Sequence, residues 1–386
     1  MTVSDKQGKP KRVLVAQNVP RHSWGGMARM MSSMHQGLEP FGWETEYFTA
    51  DDMERVPGAR LRRHTFAWHV RRCARAAFLR GRPYSIINVH EPAGAGVVLA
   101  KARLGNPAVV AMSHGIEQRY WELCLDKSGV RPEIPTLKAR IGFSLARLWQ
   151  SWLTLRYADH VFCMNQQDRA FLETRHHRAP EAITNVFPGA GAEFRSVAAR
   201  RSYGRPCTNI IFSGTWVERK GIRQVAEAFS VLAPKHPGLR LGVLGAGAPA
   251  ERVLADFPEP LRSRLSVHPP LSHAESAELL LDYDLYLLPS YYEGMPATLI
   301  EAMYTGMPVI TTNTCGMKDV IRDGENGLLV TAGSSAEVVR ALESLLGDHA
   351  LRERLGRQGQ IDATTRYTWA AMAETVNRVY SGLLEP

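Results

Sequence analysis

The sequence predicts an α/β protein made of two doubly wound parallel sheets, and three observations support this fold class. The 386 residues exceed what one ordinary hydrophobic core holds and suit two domains of about 190 residues each. Apolar runs typical of buried strands alternate with helical patterns in both halves. Pro188-Gly189-Ala190-Gly191 and the polar stretch up to Pro206 interrupt the alternation. We therefore expect a first domain over residues 1–199 and a second over 200–366.

Six strands are predicted in each half, with helices in the gaps. In the first half they lie near Arg12–Gln17, Thr45–Thr49, Ser85–His90, Ala108–Ser113, His160–Met164 and Ile183–Phe187. In the second half they lie near Asn209–Ser213, Arg240–Leu244, Leu265–His268, Leu285–Pro289, Pro308–Thr312 and Gly327–Val330. Ligands of such sheets bind beyond the carboxyl ends of the strands, so we expect the active site in the cleft between two facing sheets.

Composition excludes several classes of protein. No stretch of 18 uncharged apolar residues exists for a transmembrane helix, and the polar segment Met1–Lys11 lacks the apolar core of a secretory signal. The five cysteines are widely spaced and odd in number, which favours a reducing, cytoplasmic compartment over a disulfide framework. No CxxC or HExxH spacing indicates a bound metal.

The positive charge lies in the first half of the chain. Residues 1–199 carry 28 basic and 17 acidic side chains, a net +11, whereas residues 200–386 carry 19 and 21, a net −2. Eight arginines and no acidic residue occur between Arg60 and Arg82, and Lys138–Arg156 places Trp149 and Trp152 among basic residues. Anionic lipid, nucleic acid or an acidic substrate would fit this charge. No aromatic RNA-binding signature accompanies the arginines, so we expect reversible contact with an anionic membrane surface and no nucleic acid.

Glu293 and Glu301 flank a predicted turn between a strand and a helix. The apolar run Leu285–Leu288 predicts a buried strand, Gly294 permits a tight turn, and Pro296 suits the first helical position. The free N–H groups and positive dipole end of that helix would face the ligand side of the sheet. A phosphate at the helix tip with hydroxyl groups on either side would fit this layout, as in a nucleotide sugar.

The segments Gly294-Met295-Pro296 and Gly306-Met307-Pro308-Val309-Ile310 resemble the donor site of retaining glycosyltransferases of family 4. That family has the GT-B fold, with two Rossmann-like domains and a last helix, here residues 367–386, that crosses back to the first domain. The resemblance implies that Glu301 binds ribose hydroxyls, and that Glu293 with the Gly294 and Met295 amides holds the sugar. It also implies metal-independent transfer from a nucleoside-diphosphate sugar, a co-substrate rather than a cofactor, to a glycan or lipid-linked acceptor. Polysaccharide or cell-envelope glycoconjugate synthesis at the inner face of the plasma membrane would be the setting.

A loop rich in basic residues follows the first strand of the second half. It ends in Arg219-Lys220, and a lysine at this helix start is a strong point charge for a diphosphate. The resembling family has Gly-Arg where this chain has Gly214-Thr215, and whether Arg219 replaces the missing arginine stays open. Gly245 is expected to border the nucleotide, and Pro270-Leu271 to line the base pocket.

Two strand ends in the first half carry further candidates. Gly25-Gly26 at a helix start allows backbone amides to approach a phosphate, and the absence of GxGxxG disfavours a dinucleotide site. His114 ends the fourth strand, and the matching family histidine lies near the transferred sugar. Three residues after it are predicted to shape an acceptor pocket: Glu117, Arg119 and Trp121.

Two other classes of function remain open. A nonhydrolysing sugar-nucleotide epimerase could use the same architecture, but it needs acid/base carboxylates in the cleft that the sequence does not locate. A basic lipid- or nucleic-acid-binding module would account for Arg60–Arg82 and would leave the donor residues without a role. Asp282-Tyr283-Asp284 has the form of a DxD metal motif, but it lies where a helix passes into a buried strand, so we predict no metal there.

Overall fold

The computed structural model describes residues 11–21, 26–54, 58–126, 136–204 and 206–385. The chain divides into two compact units. The first unit comprises Met1–Arg119, Thr136–Val186 and Met372–Pro386, and the second comprises Tyr120–Pro135 and Phe187–Ala371. Residues 187–199, which the sequence analysis gave to the first domain, thus group with the second unit.

The first unit contains a six-stranded parallel sheet with the order β2-β1-β3-β4-β5-β6. Its strands are β1 (Arg12–Ala16), β2 (Glu44–Phe48), β3 (Ile86–His90), β4 (Ala108–Met112), β5 (His160–Cys163) and β6 (Ile183–Asn185). The helices in this part of the chain are α1 (Gly26–Gln36), α2 (Ala59–Leu79), α3 (Ala95–Val98), α4 (Glu117–Leu125), α5 (Leu137–Phe143), α6 (Trp149–Tyr157) and α7 (Gln166–Arg175). A π-helical turn, Ser144–Leu148, joins α5 to α6.

Helices cover the sheet, so its central strands are buried throughout. Every residue of β1 and β3 is buried, and Val13 of β1 pairs with Thr45 on one side and Ile86 on the other. Helix α2 presents its inner face to this core through residues spaced at helical intervals: Phe66, Val70, Ala74 and Ala77. A Cβ at Gly96 would lie 2.4 Å from the carbonyl oxygen of Ala67, so only glycine allows α3 to approach α2 this closely.

The second unit contains another six-stranded parallel sheet, with the order β12-β11-β10-β7-β8-β9. Its strands are β7 (Asn209–Ser213), β8 (Arg240–Leu244), β9 (Leu265–His268), β10 (Leu285–Leu288), β11 (Val309–Thr312) and β12 (Leu328–Val330). The helices are α8 (Ala192–Val197), α9 (Ile222–Leu232), α10 (Ala250–Leu254), α11 (His273–Leu281), α12 (Ala297–Tyr304), α13 (Cys315–Val320), α14 (Ser335–Gly347) and α15 (His349–Arg366).

The last helix, α16 (Trp369–Gly382), ends in the first unit. Tyr380 is fully buried there, and its hydroxyl accepts a hydrogen bond from Asn88 Nδ2 at 2.5 Å. Trp43 Nε1 donates to Asn377 Oδ1 at 2.9 Å. Polar bonds as well as apolar burial therefore attach this helix to the unit.

The predicted fold class is confirmed. Eleven predicted strands agree with the structure to within one residue at each end, and the strand predicted to reach Phe187 ends earlier, at Asn185. Continuous apolar runs indicate such strands clearly because both faces of each sheet are covered. Within the described ranges, no helix is long and apolar enough to cross a membrane.

Candidate functional site

Two loops of the second unit are joined at the carboxyl ends of β7 and β10. The Tyr291 amide donates to the Arg219 carbonyl at 2.9 Å, and Arg219 Nη1 donates to the Tyr292 carbonyl at 2.6 Å. Gly221 has a φ of +75°, and a Cβ there would lie 2.1 Å from the Pro289 carbonyl oxygen. Only glycine tolerates both conditions, so Gly221 sets how closely the two loops approach.

The loops bring Lys220, Arg219 and Glu293 together. Glu293 Oε1 lies 2.8 Å from Lys220 Nζ and 3.0 Å from Arg219 Nη1. Burial by itself would raise the pKa of Glu293, but the two cations outweigh it and hold that pKa below its usual range. The same carboxylate raises the pKa of Arg219. The site therefore holds two cations and one ionised carboxylate.

The loop that carries Glu293 rests on α13 and β11. The Gly316 amide donates to the Gly294 carbonyl at 3.1 Å, and a Cβ at Gly316 would lie 2.3 Å from that oxygen. Thr312 Oγ1 donates to the Ser290 carbonyl at 2.6 Å. Hydrogen bonds to backbone carbonyls on both sides of Glu293 thus fix the loop that carries it.

Glu301 is buried within α12, which starts at Ala297 just after this loop. Thr298 Oγ1 lies 2.7 Å from the Tyr286 hydroxyl, so the first turn of the helix is tied to β10. Burial raises the pKa of Tyr286, and the nearby Glu301 and Glu293 carboxylates raise it further. Both carboxylates thus lie near enough to the Tyr286 hydroxyl to affect its ionisation.

A pocket of about 450 Å³ opens beyond the carboxyl ends of β8 and β9. It is lined by Ala246, Gly247, Ala248, Pro249, Ala250, Val267, His268, Pro269 and Pro270. Its first wall adjoins the Lys220 loop, since the Trp216 amide donates to the Ala246 carbonyl at 2.7 Å and the Gly214 amide to the Leu244 carbonyl at 2.9 Å.

Only some of the residues that line this pocket were predicted from the sequence. Pro270 lines it, whereas Gly245 and Leu271 are not among its lining residues, although Gly245 is next to Ala246. The Gly245-Ala246-Gly247 fragment after β8 was the available signal, and it was too short to indicate a pocket by itself.

Asp284 of the DxD-like segment has a structural role. Its Oδ2 accepts the backbone amides of Thr208 and Asn209, each at 2.8 Å, and this fixes the start of β7 beside β10. Within the part of the chain that the structure describes, no group of three or more His, Cys, Asp or Glu side chains could hold a metal ion.

In the first unit, His114 follows β4 and stacks on His90. The ring centroids are 4.4 Å apart, and the two Nε2 atoms are 3.5 Å apart. Burial lowers the pKa of His114 to about 3, so its imidazole is neutral near pH 7. Gly26 begins α1, whereas Gly25 lies outside the described residues.

Glu91 is a polar centre that the sequence analysis missed. It accepts hydrogen bonds from Ser113 Oγ at 3.0 Å, from the Glu117 amide at 3.1 Å and from Ser151 Oγ. Burial and the neighbouring Glu117 carboxylate raise the pKa of Glu91 to about 8. Its position directly after His90 at a strand end was the only signal in the sequence.

The three predicted acceptor residues have defined surroundings. Arg147 Nε donates to both Glu117 carboxylate oxygens, at 2.7 and 2.6 Å. Arg119 Nη1 pairs with the buried Asp168 carboxylate at 2.7 Å, and Trp121 is buried. Their role toward an acceptor stays a prediction.

Two six-stranded parallel sheets, each covered by helices, form the architecture of the GT-B class. Two family models match the chain: Glycosyltransferase Family 4 over residues 24–191, and Glycosyl transferases group 1 over residues 207–362. The chain belongs to this family of retaining enzymes, which use nucleotide-sugar donors, so the family predicted from the sequence is confirmed.

Two of the curated proteins that resemble this chain have names that contain inositol. A D-inositol 3-phosphate glycosyltransferase of Corynebacterium kroppenstedtii is 29% identical over 241 residues, which cover 58% of this chain and 53% of the relative. A phosphatidyl-myo-inositol mannosyltransferase of Mycobacterium leprae is 28% identical over 300 residues, covering 77% and 73%. The chain thus spans about half the length of the first relative.

Solved structures share the fold over nearly the whole chain. Sucrose-phosphate synthase from Thermosynechococcus elongatus has a TM-score of 0.74 at 18% identity, covering 96% of this chain and 99% of that one. Anabaena HepE, solved in complex with UDP, has a TM-score of 0.65 at 15% identity, covering 96% and 100%. At these identities the likeness concerns the fold alone.

Proposed function

We propose that this chain moves a sugar from a nucleoside-diphosphate sugar to a glycan or lipid-linked acceptor, with retention of anomeric configuration. The observation that carries the proposal is the cluster of Lys220, Arg219 and Glu293 in the second unit. It lies on loops that adjoin both the pocket after β8 and helix α12 with its buried Glu301. The phosphates, the sugar and the nucleoside of the donor would each bind to one of these neighbouring parts of the second unit.

The donor would bind in the order of these groups. The pocket would take the base, Glu301 the ribose hydroxyls, and Lys220 with Arg219 the diphosphate. Glu293 and the amides of Gly294 and Met295 would hold the hexose. We take UDP as the first nucleotide to test, because HepE was solved with it.

Transfer would proceed by front-face substitution. The bond from the anomeric carbon to the diphosphate oxygen breaks with its electron pair, and the acceptor oxygen bonds to that carbon on the same face. The acceptor proton passes to the departing phosphate. Lys220 and Arg219 would stabilise the charge that develops on the leaving group, a role for which other enzymes use a metal ion.

Residues from the first half of the chain would complete the reaction. The backbone amides of Gly25 and Gly26 are proposed to approach the diphosphate, and neutral His114 to bond a sugar hydroxyl. Glu117, Arg119 and Trp121 are proposed to shape the acceptor site. The inositol-containing names of the two relatives support a polar or lipid-linked acceptor, in polysaccharide or cell-envelope glycoconjugate synthesis. We propose a cytoplasmic enzyme in reversible contact with the inner face of the plasma membrane.

Product analysis tests this function. Once a donor is found by screening sugar nucleotides, NMR of the product should show the donor's anomeric configuration, and turnover should survive EDTA. Inversion would remove the retaining assignment, and loss of turnover in EDTA that a divalent ion restores would overturn the metal-independent mechanism. Conversion of the sugar nucleotide without any acceptor would favour the epimerase alternative.

A further inference from the structure

A row of large apolar side chains is exposed along α5, the π-helical turn and α6. Its members recur at intervals of four, four, four and three residues, and their exposed fractions run from 40% to 72%: Leu137, Ile141, Leu145, Trp149 and Trp152. Monomeric soluble proteins rarely expose so many large apolar groups in one contiguous row unless the surface has a partner. We call this row the apolar stripe.

The apolar stripe is not an unfinished part of the core. The opposite face of α6 is the one that packs inward, through Ser151, Thr154 and Leu155, which are all buried. A Cβ at Gly94 would lie only 2.5 Å from Thr154 Cγ2, so the helix is already in close contact with the unit. The two tryptophans, whose burial the sequence left open, therefore lie on the outer face.

Basic residues accompany the stripe. Residues 137–157 contain four basic residues and no acidic one, and Lys138 is exposed next to Leu137. Arg147, also in this segment, is already paired with Glu117. Lysine and arginine can extend their charged ends toward phosphate groups while their methylene chains cover apolar surface.

The outer face of α2 has the same mixed character. Trp68, Arg72, Arg75 and Leu79 recur at helical spacing and are all exposed. Helix α3 packs against both α2 and α6, and Leu99, directly after α3, is 59% exposed. Apolar and cationic groups are thus interleaved on two helices that share a neighbour.

We propose that the apolar stripe, together with the outer face of α2, docks the protein reversibly on an anionic phospholipid bilayer. The charge complementarity selects this partner. Tryptophan and leucine side chains can insert into the apolar part of a bilayer interface, and arginine and lysine can bind its layer of phosphate anions. A surface with basic side chains and no exposed apolar ones would suit an acidic polymer instead.

Docking at this face would bring the proposed acceptor side of the enzyme to the membrane; this inference rests on the proposed function. Helix α6 bonds through Ser151 to Glu91, and Arg147 of the π-helical turn bonds to Glu117. Glu91 in turn holds Ser113, which precedes His114. The element that carries the stripe therefore also supports the loop of the proposed sugar-contacting histidine, so a lipid-linked acceptor would meet the enzyme on the docked side.

Co-sedimentation of the full chain with vesicles tests the proposal. Vesicles of phosphatidylcholine with increasing phosphatidylglycerol should bind the protein increasingly, and added salt should release it. The double variant Leu145→Ser/Trp149→Ser should lower the bound-to-free ratio about tenfold or more, because two large apolar groups no longer insert. The matched control is Val231→Ser/Ile361→Ser, which changes two exposed apolar residues of the second unit and should bind as the wild type does.

UDP binding by calorimetry separates the two proposals. If the stripe variant binds UDP like the wild type and has lost vesicle binding, the docking face is supported and the variant is folded. Absence of vesicle binding at low salt, equal binding to neutral vesicles, or unchanged binding by the stripe variant would each overturn the docking proposal. A stable dimer that the stripe variant abolishes would also overturn it, because a second copy would then cover the face. If the wild type bound none of UDP, GDP and ADP, that result would instead count against the proposed function.

Discussion

Lys220 and Glu293 form an ion pair whose Nζ and Oε1 atoms lie 2.8 Å apart, and Arg219 approaches the same oxygen. The pair joins the loops that follow β7 and β10. Since the two cations hold the pKa of Glu293 below its usual range, the carboxylate is ionised at neutral pH and orients the lysine. A cation oriented in advance is the form of charge stabilisation that gains most in a transition state.

Substitution of this lysine should therefore reduce turnover strongly. Lys220→Ala is expected to cost about 2–4 kcal/mol of transition-state stabilisation, which is roughly 30- to 900-fold in kcat. The matched control is Lys235→Ala, since Lys235 also pairs with a glutamate at 3.0 Å, Glu343, but on the exposed surface. Steady-state kinetics of both variants checks the prediction. Equal activity of the two variants would show that Lys220 does not act on the leaving group.

Filling the pocket should block the nucleotide without unfolding the protein. Ala248 lines the pocket and is partly exposed, so Ala248→Trp places an indole in the cavity and leaves the core unchanged. We expect UDP binding to fall below detection in calorimetry, with the midpoint of thermal unfolding close to that of the wild type. The exposed Ala274, on α11, provides the control Ala274→Trp. Normal UDP affinity in the Ala248 variant would place the base elsewhere.

Buried histidines should make the fold sensitive to acid. His35 is buried, with its Nδ1 at 2.9 Å from the Met31 carbonyl, and burial lowers its pKa from 6.5 to about 4. A lowered histidine pKa contributes stability that is present above pH 6.5 and is lost as the pH falls toward 4. The slope is about 1.4 kcal/mol per pH unit for one proton.

His35→Gln removes this titration. Urea unfolding at a series of pH values should give the variant a shallower loss of unfolding free energy between pH 6.5 and 4 than the wild type. Identical slopes would mean that His35 takes up its proton in the folded state as readily as in the unfolded chain.

The strands were predicted well from the sequence for a physical reason. Apolar runs and the glycine and proline punctuation around Glu293 are local signals, and a parallel sheet needs little else to be recognised. The ion pair of Lys220 with Glu293 was not predicted, because it depends on Gly221 packing against Pro289, a contact between distant segments. The exposure of Trp149 likewise depends on which face of its helix packs inward.

Contacts made by side chains from several elements were also beyond the sequence. Glu91 becomes a polar centre only when Ser113, Glu117 and Ser151 converge on it from three segments. The pocket beside β8 could not be predicted, because it forms only where the ends of β8 and β9 lie side by side. The small residues that line it form no recognisable sequence pattern.

Calorimetry with UDP, GDP and ADP measures whether the second unit binds a nucleoside diphosphate through Glu301. The tightest of the three should bind the wild type and the surface variant Glu343→Ala equally. Glu301→Ala should lose about 1.5–3 kcal/mol, roughly 10- to 150-fold in Kd, as expected for hydrogen bonds to a charged group. Glu293→Ala should keep most of the nucleoside-diphosphate affinity while it loses turnover. Binding by Glu301→Ala that is as tight as the wild type's would contradict the account.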